Sequence, residues 1–229
     1  MKTLLNSIFH WFETRIEPYP SESPKTPAKG TFRFIWSSLE GVRPWIFALA
    51  VFTAGIGIME ALLFQFMGKL VDWLGKYTPQ TLFAEKGWAI FGMAAMMVLA
   101  VFWHFAASNI RLQTLQGVFP MRLRWNFHRL MLNQSLGFYQ DEFAGRVSAK
   151  VMQTALAVRD VVMTVADMVV YVLVYFLTSG LILAALDGWL LVPFALWIVS
   201  FAVMMKTLMP KLGKTAQAQA DARSLMTGR

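Results

Sequence analysis

The chain has 229 residues, of which 57% are hydrophobic and only 15% are charged, and its mean hydropathy is +0.50. This composition excludes an ordinary soluble domain and indicates a membrane protein. The net charge of +8 is not accompanied by a nucleic-acid motif, so no nucleic-acid partner is predicted, and the absence of cysteine excludes disulfides and cysteine-based metal sites.

Residues 1–30 are predicted to form a cytoplasmic tail and linker. Apolar residues from Leu4 to Ile16 recur at helical spacing, which predicts a short amphipathic helix on the membrane surface, with a floppy tail as the alternative. Four prolines in residues 17–30 predict an extended linker, because they prevent a regular helix. Aromatic and apolar residues in 31–43 predict an interfacial elbow helix that leads into the first membrane span.

Four apolar runs are long enough to cross a bilayer, since a spanning helix needs about 20 apolar residues. The third and fourth runs are separated only by Asp187 and Gly188, a dipeptide typical of tight turns, so Asp187 is interpreted as an exposed turn residue. The runs predict an all-α membrane protein with four transmembrane helices. They lie at about residues 44–68, 87–107, 161–186 and 188–206.

The distribution of Lys and Arg predicts the orientation of these spans. Six basic residues lie in 1–43, seven in 111–159 and five in 206–229, against three in the first connection and none at the 187–188 turn. Because basic residues near span ends are retained in the cytoplasm, both termini and the long middle segment are predicted to be cytoplasmic. The expected location is a lipid bilayer, specifically a bacterial inner (plasma) membrane.

The polar segment 108–158 keeps helical apolar spacing, so the second span is expected to continue as a helix well beyond the bilayer. Pro120 is expected to kink this helix. A break is predicted at Leu136–Tyr139, followed by a short polar crossing helix at about 140–144 and by a new helix that opens at Gly145. The segment is therefore predicted to be a cytoplasmic hairpin whose exposed tip binds a partner.

Three motifs occur in the order and at the spacing found in the transmembrane domain of ABC exporters, which the chain resembles over about 31–229. They are GKLVDWL at 68–74, RLR at 122–124 and FYQDEFAGRV at 138–147. The resemblance, to the multidrug or lipid exporter type, implies that 44–229 supplies four of the six helices of such a domain. It also implies that two half transporters pair as a homodimer or heterodimer.

The same resemblance implies that the hairpin tip is a coupling helix, which docks onto a nucleotide-binding domain. The residues implied are Phe138, Tyr139, Gln140, Asp141, Glu142, Phe143, Gly145 and Arg146. ATP and Mg are expected on that domain, which this sequence lacks, since no G-x-x-x-x-G-K-[ST] phosphate loop occurs in it. We therefore expect an amino-terminal fragment of an ATPase transporter, with no catalytic, cofactor or metal site of its own and no transport by the isolated chain.

Three ionisable residues within the spans are candidates for a translocation pathway, because a charge inside a bilayer is costly and usually faces a cavity or a partner. Glu60 could meet a cationic substrate or could hydrogen-bond a neighbouring helix. His104 is interpreted more readily as a packing histidine than as a ligand. Asp167 is expected near the inner face, where it could pair with a basic residue.

A self-contained four-helix membrane scaffold or small channel is the alternative function, with the hairpin binding a soluble partner. A membrane enzyme is disfavoured, because the sequence contains no metal-ligand spacing and no nucleophile beside a base.

Overall fold

The computed structural model describes residues 2–22, 24, 26–141 and 144–227. Every regular element within these ranges is a helix, so the all-α prediction is confirmed. Contacts divide the chain into two units, the first ending at Thr178 and the second beginning at Ser179. Within the described residues, four helices are long and apolar enough to cross a membrane: Arg43–Lys76, Pro79–Leu132, Val147–Leu186 and Gly188–Gln219.

Two short helices precede the first long one. Helix α1 spans Lys2–Glu13, and helix α2 spans Thr31–Ser38. The described residues between them have irregular backbone, as expected from the prolines. Helix α2 follows Gly30, whose φ of 93° is readily adopted only by glycine.

Helices α3 (Arg43–Lys76) and α4 (Pro79–Asn109) are separated only by Tyr77 and Thr78. The predicted spans at about 44–68 and 87–107 each lie within one of these helices. Helical hydrogen bonding continues beyond the apolar runs into the polar residues that follow and precede them, so only two residues separate the helices. Pro79 suits the start of α4, where its missing N–H would lack a helical partner anyway.

Helix α4 continues through a π-helical segment, Ile110–Gln116, and after Gly117 into α5 (Val118–Leu132). Proline at position 120 cannot donate the hydrogen bond that would reach the carbonyl of Gln116. The helical geometry therefore changes in the turn before Pro120, and α5 resumes regular geometry around the proline.

The short helix predicted at the hairpin tip begins earlier in the chain than expected. Leu136–Asp141 form a short helix, α6, and the chain turns at residues 133–135 instead of breaking at Leu136–Tyr139. Ser135 explains the difference, because its Oγ accepts a hydrogen bond from the Phe138 N–H at 3.3 Å and so caps a helix that contains Gly137.

Helix α7 (Ala144–Met163) passes through a second π-helical segment, Thr164–Val169, into α8 (Val170–Leu186). In the second unit, a 3₁₀ turn at Gly188–Leu190 leads into α9 (Leu191–Thr227). The Asp187 carboxylate accepts a hydrogen bond from the Trp189 N–H at 2.9 Å, as its interpretation as a turn residue requires.

The buried core of the first unit lies where the start of α3, the first π-helical segment, α5 and α7 meet. Phe119, Leu115 and Leu49 have no exposed surface. Further along α3, small residues at four-residue spacing form a buried stripe: Thr53, Gly57 and Ala61. Stripes of this kind let membrane helices approach closely.

Residues 5–22, which we call the N-terminal strap, pack along the first π-helical segment and α5. Arg129 donates hydrogen bonds to the backbone carbonyls of Pro20, Ser21 and Glu22, at 3.0, 2.9 and 2.6 Å. Ile16 is only 2% exposed and belongs to the buried core. The strap is therefore held against the hairpin, which contradicts the floppy-tail alternative.

Replacing Arg129 with alanine is expected to loosen the strap, because one side chain holds three of its carbonyls. A loss of about 1 kcal/mol would raise the amide hydrogen-exchange rate of residues 16–22 roughly fivefold. His128→Ala is the control, since this exposed neighbour makes no hydrogen bond to the strap. Equal exchange in both variants would show that Arg129 does not hold the strap.

Candidate functional site

Three long helices bring Glu60, His104 and Tyr171 together, and we call these residues the Glu60 cluster. The Tyr171 hydroxyl donates a hydrogen bond to Glu60 Oε2 at 2.5 Å. His104 Nε2 lies 3.8 Å from Glu60 Oε1, and His104 Nδ1 lies 2.9 Å from the carbonyl oxygen of Ala100. The cluster thus joins α3, α4 and α8.

One ring nitrogen of His104 contacts a backbone carbonyl. A carbonyl oxygen only accepts hydrogen bonds, so Nδ1 carries the hydrogen that points to Ala100. Nε2 then faces the Glu60 carboxylate across 3.8 Å. The side chains of His104 and Glu60 are 47% and 36% exposed, so both remain accessible within the apolar helices.

A second polar group, which we call the Asp167 cluster, consists of Thr53, Arg111 and Asp167. Arg111 Nη1 lies 2.8 Å from Asp167 Oδ2, and the Thr53 hydroxyl donates to Asp167 Oδ1 at 3.1 Å. Arg111 and Asp167 each lie in one of the two π-helical segments. Such segments are rare and are frequently found at functional sites.

A groove of about 260 Å³ adjoins the Asp167 cluster. Arg159 and Asp160 also line it, so both signs of charge face the same space. The positive charge of Arg111 balances the negative charge of Asp167. Together with the Thr53 hydrogen bond, this ion pair links the first three long helices.

The three candidate pathway residues thus fall into two clusters. Asp167 pairs with a basic residue, as predicted, and Glu60 hydrogen-bonds a neighbouring helix. The sequence interpretation missed Tyr171 and Thr53, because neutral hydroxyl residues in apolar runs give little signal. Tyr171 lies about one helical turn after Asp167 in the same long helix. That spacing was the one signal in the sequence that could have pointed to Tyr171.

The hairpin tip is described only in part. Phe138 and Tyr139 pack edge to face, with ring centroids 5.3 Å apart, and the Tyr139 hydroxyl donates to the carbonyl of Met131 at 2.5 Å. Helices α6 and α7 contain the backbone of the other described candidates, namely Gln140, Asp141, Gly145 and Arg146. Glu142 and Phe143 lie outside the described residues.

Replacing Tyr171 with phenylalanine is expected to lower stability by about 0.5–1.5 kcal/mol, because the Glu60 carboxylate loses its donor from α8. Thermal unfolding in detergent, followed by tryptophan fluorescence, would measure the change. Tyr175→Phe is a matched control, since Tyr175 stacks on Tyr171 with centroids 5.8 Å apart and its hydroxyl makes no hydrogen bond among the described residues. Equal destabilisation by both variants would contradict a role for the Glu60 hydrogen bond.

No protein-family model matches the chain, and no solved structure matches it. Over 226 residues the chain is 67% identical to a Haemophilus influenzae protein described as "Uncharacterized ABC transporter ATP-binding protein". The match covers 99% of this chain and 37% of that protein. The chain is therefore similar, over nearly its whole length, to about a third of a protein described as an ABC transporter component.

Proposed function

We propose that the chain forms the membrane-spanning part of an ATP-driven ABC exporter and contributes to its substrate pathway. The observation that carries the proposal is the 67% identity with an ABC transporter protein across a region that contains four helices able to cross a membrane. In this proposal the four helices supply a path through the bilayer. ATP binding and hydrolysis take place in another part of the full-length protein.

The hairpin of α5, α6 and α7 is proposed to couple ATP-driven motion to the membrane helices. Leu123 on α5 and Ala155 and Val158 on α7 are all buried in the same core. Helices packed in this way move together, so a force on α6 would be transmitted along both arms of the hairpin. The exposed aromatic side chain of Tyr139, at the tip, offers a contact surface for a nucleotide-binding domain.

The Glu60 cluster is proposed to line the substrate pathway. A carboxylate near the centre of a spanning helix costs roughly 2.5–3.5 kcal/mol on insertion scales, and a partner or an aqueous cavity offsets that cost. Glu60 keeps exposed surface although Tyr171 already donates to it. This remaining accessibility supports contact with water or with a passing substrate.

The full-length protein is proposed to reside in the inner (plasma) membrane, with both ends of this region in the cytoplasm. It would work as a homodimer or heterodimer of half transporters and bind ATP and Mg on its nucleotide-binding domain. The excess of basic residues in the three segments predicted to be cytoplasmic supports this orientation.

Site-specific photocrosslinking in the full-length protein tests the coupling. Tyr139 is replaced by p-benzoylphenylalanine, which keeps an aromatic ring at the tip, and Trp189, at the α8–α9 turn, is replaced in the same way as a control. The Tyr139 probe should attach to peptides of the nucleotide-binding domain with a yield that changes when MgATP is added. Attachment to lipid alone, or equal attachment from the Trp189 probe, would refute the proposal.

A further inference from the structure

An apolar groove of about 480 Å³ lies between α2, the start of α3 and the junction of α7 with α8. Its described lining contains one ionisable residue, Arg43, and no carboxylate. The remaining lining residues are apolar or aromatic, among them Trp36, Ala50 and Val165. The groove is open, since Val165 is 53% exposed.

The groove has a polar end and an apolar end. Arg43 is the first residue of α3, whereas Ala50 lies seven residues further along the same helix, about 10 Å deeper. Trp36 lies beside Arg43, and tryptophan is enriched at the boundary between headgroups and hydrocarbon. A ligand that fits this groove therefore carries its polar group at Arg43 and an apolar chain towards Val165.

Arg43 is positioned to bind an anion. Its Nη2 donates to the carbonyl of Trp36 at 3.2 Å, and its guanidinium carbon lies 4.8 Å from the Trp36 ring centroid. A guanidinium group has five N–H donors, so most of them stay available. No described carboxylate forms an ion pair with Arg43. Arginine matches the geometry of a phosphate group with two parallel hydrogen bonds.

We propose that this groove is a specific site for an anionic phospholipid, with the phosphate on Arg43 and one acyl chain along α3 and Val165. Anionic lipids are attracted to basic residues at the membrane surface, and the net charge of the chain is +8. An acyl chain in the groove fills the space between the elbow helix α2 and the α7–α8 junction. The bound lipid joins these two elements across the membrane surface.

Native mass spectrometry of the full-length protein tests the site, with phosphatidylglycerol and phosphatidylcholine of identical acyl chains as probes. The unaltered protein should retain several times more phosphatidylglycerol, and Arg43→Gln should abolish that preference. Arg43→Lys should keep part of the preference, since the charge remains while the paired hydrogen bonds are lost. Val165→Trp should lower retention of both lipids by filling the groove.

Arg33→Gln is the matched control, because Arg33 is an exposed cation on α2 that does not line the groove. It should leave the lipid preference unchanged. Equal retention of the two lipids by the unaltered protein would overturn the proposal. So would an equal loss in the Arg33 and Arg43 variants, which would indicate diffuse surface charge, or full lipid retention by Val165→Trp.

Discussion

Replacing Gly57 with leucine is expected to destabilise the membrane region strongly, because α3 and α8 approach closely at this position. A Cβ atom at Gly57 would lie 3.3 Å from the backbone nitrogen of Tyr175 and 3.4 Å from the carbonyl oxygen of Tyr171. Backbone atoms of α8 cannot rotate away, so a larger side chain would force α3 and α8 apart. Overpacking of this kind costs about 1–3 kcal/mol, and separation of the helices would also break the Tyr171–Glu60 hydrogen bond.

Gly68→Leu is the matched control for this prediction. Gly68 lies on the same helix, and a Cβ there would meet nothing within 4 Å. Both substitutions replace glycine by leucine within a helix and so gain about the same helix propensity. The difference between their unfolding temperatures therefore reports the effect of packing between α3 and α8. Tryptophan fluorescence during heating in detergent would report the transition, since the chain has nine tryptophans. Equal unfolding temperatures would show that α3 and α8 do not approach closely at Gly57.

Replacing Asp167 with asparagine is expected to have the second largest effect, because it removes a charge that Arg111 and Thr53 both contact. The asparagine oxygen can still accept from Thr53, but Arg111 loses its ion-pair partner. We expect a loss of about 1–3 kcal/mol in the free energy of unfolding. Arg111→Met should cost a similar amount, and the double variant should cost less than the sum of the two single variants.

Asp160→Asn provides the control for the Asp167 cluster. Asp160 is 62% exposed and pairs only with the adjacent Arg159 among the described residues, so its neutralisation should change stability by less than about 0.5 kcal/mol. Chemical unfolding of all the variants under the same conditions would provide the comparison. Additive costs for the Arg111 and Asp167 variants would contradict a direct interaction between them.

Features that depend on local sequence were predictable. The four apolar runs each fall within one long helix, because about 20 apolar residues have few stable arrangements outside a membrane-spanning helix. The turn at Asp187 follows from its local chemistry. The pairing of Asp167 with a basic residue was expected as well, because an isolated carboxylate in a membrane is costly.

Features that depend on distant contacts were not predictable. Arg129 holds the strap by hydrogen bonds to backbone carbonyls more than 100 residues away in the sequence. Every residue has a backbone carbonyl, so the sequence does not indicate which ones Arg129 contacts. The choice of Arg111 as the partner of Asp167 required the relative rotation of two helices, which the apolar spacing does not define. Ser135 shows a third limit, since one capping hydroxyl starts the short tip helix at Leu136, where a break was predicted.

Distances between spin labels on the hairpins test most directly whether this region transmits ATP-driven motion. The chain contains no cysteine, so Gln134→Cys adds a single labelling position near the tip of each copy once other cysteines of the full-length protein are replaced. We predict that the distance between the two labels in a dimer shortens when MgATP and vanadate trap the nucleotide-bound state. Identical distance distributions with and without nucleotide, or the absence of any coupling between labels, would contradict the proposed function.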